Sequence, residues 1–183
     1  MFKYPANSAI LTEARAYAME SIGHTVDYNG WGDAHQKMQR ITTGKYAQLW
    51  LAEFCKINGI NHKKDNSSPY IYDDEDLKIC NLSIDCKVSI HEYLVGQVSP
   101  HCLKQENIDG YAFFLTDPSL SFIKPYGFIK REDFLKNAIC IEKGEQIFNT
   151  GITQRFSKSY FIDKKHLHPF NEVMTKFLNM SKL

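Results

Sequence analysis

The stretch Ser83-Ile84-Asp85-Cys86-Lys87-Val88-Ser89 alternates polar and apolar residues without exception. A period of two predicts a β-strand with one polar face and one apolar face. Asp85 and Lys87 then emerge from the same face, roughly 7 Å apart, because a strand rises about 3.3 Å per residue. We therefore expect an acid and a cation to lie side by side on this strand.

A second short strand is predicted just before it, over residues 77–80. Cys80-Asn81-Leu82 is a turn between the two strands, so they should form a hairpin. Asp76 begins the first strand of this hairpin. The pairing would bring its carboxylate beside that of Asp85, so that two acids and a lysine converge.

Upstream of the hairpin, residues 43–58 carry apolar residues at helical spacing, with Thr43 as the expected N-cap and Asn58-Gly59 as the stop. The stripe consists of Tyr46, Leu49, Trp50, Phe54 and Ile57. Glu53 follows Leu49 by four positions and Trp50 by three, which predicts that its carboxylate faces inward with them. An inward acid needs a partner, and the hairpin would supply one.

The remaining elements are short. We expect a helix over 8–23 with Ser8 as N-cap, and mainly loop over 24–41, which leaves Lys37 and Arg40 available to a ligand. Further predicted elements are strands over 70–72, 111–116 and 121–129, a helix over 131–137, and strand-like pieces around Ile139 and Tyr160. The pattern predicts one α/β domain spanning 1–183, without repeat or linker.

Composition sets the broad class of the protein. The chain has 183 residues, 43% of them apolar and 23% charged, which is typical of a folded domain. The formal net charge of +1 alone predicts no polyanion partner, although residues 73–76 concentrate four acids and leave the remainder more basic. Five cysteines without a CxxC pair, and no long apolar run, favour a soluble cytoplasmic protein with reduced thiols and no membrane partner.

The convergence of Asp76, Asp85 and Lys87 suits phosphodiester hydrolysis. That reaction needs a cation to offset phosphate charge, a positioned water and a donor near the developing charge. Mg²⁺ prefers oxygen ligands and is often bound through one or two protein carboxylates. Asp76 and Asp85 fit that role, Lys87 would orient or deprotonate the water, and Glu53 would support the site or bind a second metal.

These residues resemble the PD-(D/E)XK, or restriction-endonuclease-like, nuclease superfamily over about residues 43–129. The resemblance rests on helical Glu53, on Asp76-Leu77-Lys78-Ile79 and on Ile84-Asp85-Cys86-Lys87, although Glu75 stands where the motif has proline. It implies a mixed central sheet flanked by helices, and Mg²⁺ or Mn²⁺ bound with help from the Cys86 carbonyl. It also implies cleavage of DNA, less often RNA, and places Gln97 at a helix start facing the site.

Other interpretations stay open from the sequence. Asp85 and Lys87 could form a solvated surface ion pair of at most about 1 kcal/mol, and Glu53 could pair with Lys56 or Lys45. The same fold could serve as a non-catalytic nucleic-acid-binding or protein-interaction module. A homodimer would suit a double-strand cut, but no apolar seam demands one. The histidines and cysteines show no zinc-ligand spacing and no identifiable nucleophile pair.

Overall fold

The computed structural model describes residues 3–24, 33–64, 77–148, 150, 152–153 and 158–182. Its α-helices are α1 Ser8–Ser21, α2 Ala34–Ile57, α3 Pro100–Leu103, α4 Arg131–Asn137 and α5 Phe170–Met180. Its strands are β1 Tyr4–Pro5, β2 His62–Lys64, β3 Leu77–Ile79, β4 Leu82–Ser89, β5 Gln97–Val98, β6 Gly110–Thr116, β7 Phe122–Lys130, β8 Ile139–Ile141 and β9 Ser159–Phe161. Short 3₁₀ turns occupy Glu92–Leu94 and Lys164–His166.

The strands form two sheets. The larger has six strands in the order β1-β7-β6-β4-β3-β2, and the smaller has the order β5-β9-β8. In the larger sheet β4 and β6 run parallel, whereas the other neighbouring strands are antiparallel. The chain leaves β4, passes through β5 and α3, and returns in β6 beside it. A mixed α/β architecture is therefore confirmed.

Helices α1, α2 and α5 cover one face of the large sheet, and helix α4 with strand β5 of the small sheet covers the other. Ile84 and Cys86 of β4 belong to an apolar core with residues of α1, α2 and α5. Tyr111 and Phe113 of β6 belong to a second core, which also includes Phe134 of α4 and residues of β5. Side chains alternate between faces along each strand. Asp85 and Lys87 of β4, which pair with Tyr111 and Phe113, consequently face this second core.

The predicted hairpin is confirmed for its described part. Leu77 pairs with Ile84 and Ile79 with Leu82, so that Cys80 and Asn81 form a two-residue connection. Both have positive φ, 48° and 69°, the combination of a type I′ turn that matches the right-handed twist of the strands. The turn therefore sets the register on which the Asp85 geometry depends.

Helix α2 begins ten residues earlier than predicted, with its N-cap at Asp33 rather than at Thr43. Asp33 is its N-cap and accepts a hydrogen bond from the Gln36 backbone N at 2.9 Å. Thr43, the expected cap, lies inside the helix, where its Oγ1 donates to the Gln39 carbonyl at 2.7 Å. The prediction was wrong because the first turns are polar, and packing of the later apolar stretch against the sheet stabilises the whole helix.

Smaller differences concern single residues. Asn7, not Ser8, caps α1, and its Oδ1 accepts from the backbone N of Ala9 at 3.0 Å and of Ile10 at 3.3 Å. Ile57, assigned to the inward stripe, is 74% exposed because it lies in the last position of α2. Gln97 lies in strand β5 rather than at a helix start, and α3 begins three residues later.

Some predicted features lie outside the described residues. These are the strand over 70–72, the acidic run 73–76 and therefore Asp76. The bounds of α4 are as predicted, and the strand-like pieces around Ile139 and Tyr160 are β8 and β9. None of the helices in the described ranges has the length and apolar character required to cross a bilayer.

Candidate functional site

Asp85 and Lys87 form a buried ion pair rather than a solvated one. The Lys87 Nζ lies 2.6 Å from the Asp85 Oδ2, and the two side chains are 23% and 9% exposed. The approach does not have hydrogen-bond geometry, and among the described residues no other group donates to the Oδ2. The Lys87 ammonium therefore balances the charge of this buried oxygen, which would be costly to bury unpaired.

Cys102 and Tyr111 complete a polar cluster around this pair. The Lys87 Nζ is also 3.3 Å from the Cys102 Sγ, which receives a hydrogen bond from the Ser99 hydroxyl at 3.2 Å. Tyr111 pairs with Asp85 across the parallel ladder, and its hydroxyl is buried without a hydrogen-bond partner among the described residues. Burial, reinforced by the negative charge of Asp85, raises the pKa of Tyr111 to about 12. We call Asp85, Lys87, Cys102 and Tyr111 the Asp85 cluster.

A cavity of about 750 Å³ opens next to this cluster. Lys87 and Cys102 line it, so the ion pair is reached from the cavity through the lysine. The first turns of α2 contribute Gln39, Arg40 and Thr43 to its wall. None of the described residues that line it is acidic. The cavity thus combines cationic groups, amides and hydroxyls, a lining that suits an anionic ligand.

Two aromatic rings stand at the same cavity. His91 and Tyr93 follow the end of β4 and line the cavity, with ring centroids 5.2 Å apart and planes inclined by 12°. His91 is held in place because its backbone N donates to the Ser89 Oγ at 3.0 Å, and its carbonyl accepts from the same hydroxyl at 2.7 Å. The pair therefore presents stacked rings beside the cationic wall.

Asp76 and Cys86 were predicted to share the metal with Asp85. Asp76 lies outside the described residues; the residue after it, Leu77, pairs with Ile84, the neighbour of Asp85. Ile79 and Leu82 flank the two-residue turn and form a hydrogen-bonded pair. In an antiparallel ladder every second residue directs its backbone N–H and C=O toward the partner strand. Cys86, four residues after Leu82, therefore directs its backbone groups toward the β3 side. Consistent with this alternation, the Ser83 carbonyl points the other way and accepts from the Asp109 backbone N at 2.9 Å.

Glu53 is not brought to the Asp85 cluster. Its carboxylate forms an ion pair with Lys56 at 3.5 Å and its side chain is 38% exposed, which is the alternative interpretation of this residue. Helix α2 packs on the Cys86 face, opposite to Asp85 and Lys87. The part of α2 that reaches the cavity is near Arg40, roughly 20 Å along the helix from Glu53 at about 1.5 Å per residue.

Gln97 does line the cavity together with Lys87. Its Nε2 donates to the Ser159 Oγ at 2.9 Å, which ties β5 to β9 in the small sheet. Gln97 therefore lies at the cavity, on a strand rather than at a helix start, and its contact with substrate or water stays a prediction.

A divalent cation fits the described residues in part. They contain no group of three or more His, Cys, Asp or Glu side chains arranged to hold a metal. The Asp85 Oδ2 faces the Lys87 ammonium at 2.6 Å, and Mg²⁺ often uses only one or two protein carboxylates, with water and phosphate completing its shell. A cation here would have Asp85 as its one carboxylate ligand among the described residues, and Asp76 stays the predicted second ligand.

Comparison of the chain with models of protein families, with curated proteins and with solved structures finds no match.

Several residues of the site escaped sequence reasoning. Cys102 and Tyr111 reach Asp85 only through the β4–β6 pairing, which joins positions distant in the chain. His91 and Tyr93 carried a usable signal, because residues just after the carboxyl end of a strand with a parallel neighbour commonly face a ligand. Arg40 was left available to a ligand, but its place in a long helix was not predicted.

Proposed function

We propose that this protein is a metal-dependent nuclease that hydrolyses phosphodiester bonds, with DNA as its substrate, on a restriction-endonuclease-like fold. The observation that carries the proposal is the Asp85–Lys87 pair, 2.6 Å apart, on the second strand of a hairpin and at a cavity whose described lining residues include no acid. A lysine beside a carboxylate offers both a cation ligand and a group to assist water.

The order of elements also supports the proposal. A long helix precedes the hairpin, and the hairpin strand that carries Asp85 and Lys87 is followed by a parallel neighbour, β6. This agrees with the mixed, helix-flanked sheet that the PD-(D/E)XK resemblance implies. This agreement concerns the architecture alone, and the Asp85–Lys87 pair remains the main support for the proposal.

Each residue of the site would have a separate role in the proposed reaction. Asp85 and Asp76 hold the cation, with the Cys86 carbonyl as a further oxygen ligand, and the cation supplies charge neutralisation at the phosphate. Lys87 orients the attacking water and stabilises developing negative charge with its ammonium group. Glu53 is given no part in the reaction, because it pairs with Lys56 on the far face of the sheet.

Cleavage of labelled DNA in the presence of Mg²⁺ or Mn²⁺ tests the proposal. We expect the wild-type protein to cut and chelation with EDTA to stop it. Asp85→Asn and Lys87→Ala should each lower the rate by at least about 100-fold, the scale of a lost general acid or base. Lys63→Ala, on the exposed position of β2, is the matched control and should retain activity.

A second pair of variants tests the residue outside the described ranges. Asp76→Asn should abolish cleavage, whereas Asp74→Asn, two positions earlier in the same acidic run, should not. Circular dichroism should show that both remain folded. Equal activity of Asp76→Asn and wild type would remove Asp76 from the metal site.

One observation favours a non-catalytic alternative, a nucleic-acid-binding or interaction module. The described residues bring one carboxylate, not two, to the Lys87 ammonium, and such a pair could serve stability alone. If purified protein never cuts DNA or RNA with either metal, and Lys87→Ala binds nucleic acid like wild type, this alternative replaces the nuclease proposal.

A further inference from the structure

The cavity is too small to enclose a nucleic acid duplex. Its volume is about 750 Å³, within the range of roughly 300–1,000 Å³ that encloses a small molecule. That space accepts roughly one or two nucleotides, each with its base separated from its neighbours. Any polynucleotide that enters must do so as an unpaired strand.

The burial of Asp85 and Lys87 also favours entry of an unpaired strand. The Asp85 side chain is 9% exposed and the Lys87 side chain 23%, and Lys87 is reached from inside the cavity. A phosphate must therefore enter the cavity to contact Lys87. A flexible unpaired strand can place a phosphate inside the cavity more readily than a stiff duplex can.

The cavity also offers the two kinds of contact that unpaired nucleotides use. Base stacking on aromatic side chains and a cationic path for the backbone are the usual means of binding single strands. Tyr93 and His91 present stacked rings with centroids 5.2 Å apart, and Arg40 and Lys87 line the same space. Aromatic rings and cations thus lie within one nucleotide-sized site.

The aromatic rings are held before any ligand arrives. Glu92, between His91 and Tyr93, receives a hydrogen bond from the Tyr126 hydroxyl and an ion pair from the Lys164 Nζ at 3.5 Å. The hydrogen bond and the nearby lysine charge hold the pKa of Glu92 below its ordinary value. We call the stacked rings of His91 and Tyr93 the platform. Because the platform is ordered before binding, it loses less conformational entropy on binding than a mobile one would.

We infer that this cavity binds unpaired nucleotides, with one base stacked on Tyr93 and His91 and its phosphate directed toward Arg40 and Lys87. The inference rests on the proposed nuclease function and narrows its substrate to single strands, overhangs or flipped-out nucleotides. A phosphate in this position lies at the entrance to the Asp85 cluster.

Binding without metal tests the inference apart from catalysis. The probes are a fluorescein-labelled oligothymidylate of about a dozen nucleotides and a blunt duplex of equal length, measured by fluorescence anisotropy in EDTA. An oligouridylate of the same length distinguishes DNA from RNA as the source of the strand. We expect the wild-type protein to bind the single strand at least about tenfold more tightly than the duplex.

Substitutions at the platform give the matched comparison. Tyr93→Leu, which keeps an apolar side chain against the buried residues Ile141, Ile147 and Phe161, and His91→Ala should each weaken single-strand binding by about fivefold or more, the effect of losing one stacked base. Tyr93→Phe keeps the ring and should bind like wild type. Tyr17→Ala, a half-buried tyrosine of α1 away from the cavity, is the control and should bind normally.

Cleavage assays separate the two proposals. If the protein cuts blunt duplex as fast as single strands in Mn²⁺, or if Tyr93→Leu binds the oligothymidylate unchanged, the single-strand inference is overturned while the nuclease proposal stands. If no substrate is cut but the platform variants lose single-strand binding, the nuclease proposal fails and the cavity assignment holds.

Discussion

At the residue scale, the unusual feature is an acid and a lysine buried together at a cavity. Removing one partner of such a pair leaves the other charge without compensation in a poorly solvated place. Asp85 is the more buried of the two, with a side chain 9% exposed against 23% for Lys87. If the nuclease proposal holds, stability and function depend on the same two residues, so each must be measured separately.

Lys87→Ala should lower the free energy of unfolding by about 3 kcal/mol, because the Asp85 carboxylate stays buried without its cation. Urea denaturation at neutral pH measures this change. The Asp85→Ala/Lys87→Ala double variant should lose at least about 1 kcal/mol less than the two single losses combined, since the interaction is removed only once. Strict additivity would show that the pair contributes no coupling energy.

The pH dependence of stability should report on Tyr111. Burial raises the pKa of its hydroxyl to about 12 in the folded protein, whereas the unfolded tyrosine titrates near 10. The folded state therefore holds this proton longer, and the resulting stabilisation is complete below about pH 10 and is lost as pH rises toward 12.

In Tyr111→Phe that loss disappears, so the unfolding free energy should fall less steeply from about pH 10 to about pH 12 than in wild type. At neutral pH the variant should be equal to wild type or about 1 kcal/mol more stable, because the hydroxyl has no described partner. Urea titrations at each pH provide the measurement. An unchanged slope would mean that the hydroxyl is solvated.

At the element scale, the first turns of α2 matter because they bring Gln39 and Arg40 to the cavity. Their helical state depends on the Asp33 cap, whose side chain accepts from the Gln36 backbone N at 2.9 Å. Asp33→Ala should therefore cost about 1 kcal/mol, and Asp33→Ser should recover most of it. Thermal denaturation compares the stabilities, and amide exchange over 36–40 should accelerate only in the alanine variant.

At the scale of the whole molecule, the C-terminal segment is joined to the large sheet through a close approach at Gly127. A Cβ at this position of β7 would lie 2.5 Å from the His168 carbonyl oxygen and 3.1 Å from the Leu167 Cβ. Phe128 and His168 exchange backbone hydrogen bonds at 3.0 and 2.8 Å. Helix α5 follows directly and packs Phe170 into the first core.

Gly127→Ala should accordingly destabilise the protein by about 3 kcal/mol, because backbone rather than a flexible side chain must move. Gly44→Ala is the matched control: it lies inside α2 with no neighbour within 4 Å of an added Cβ, and should gain up to about 1 kcal/mol. Calorimetric melting temperatures rank the two. Equal behaviour of both variants would contradict the close approach at Gly127.

Local pattern predicted the elements that carry a strong period or a distinct turn. The alternation of residues 83–89 and the Cys80-Asn81 turn determined the hairpin, since both act between neighbours in the chain. The sequence predicted helix α2 but not its start, because residues 34–43 lack an apolar stripe. These residues are helical because Asp33 caps them and because the later part of α2 packs against the sheet. The exposed end of that helix explains the error at Ile57.

Strand geometry alone places Asp85 and Lys87 on one face, so the amino-acid sequence was enough to predict this. Folding of the whole chain sets which face that is, how deeply the pair is buried, and that Cys102, Tyr111, Arg40 and Tyr93 lie near it. Those residues come from four separate segments, and the free energy that brings them together arises from burying two apolar cores on either side of the sheet. A local sequence pattern does not predict which distant segments meet. Glu53 illustrates this limit, because helix periodicity predicted an inward carboxylate, whereas in the folded chain Glu53 pairs with Lys56.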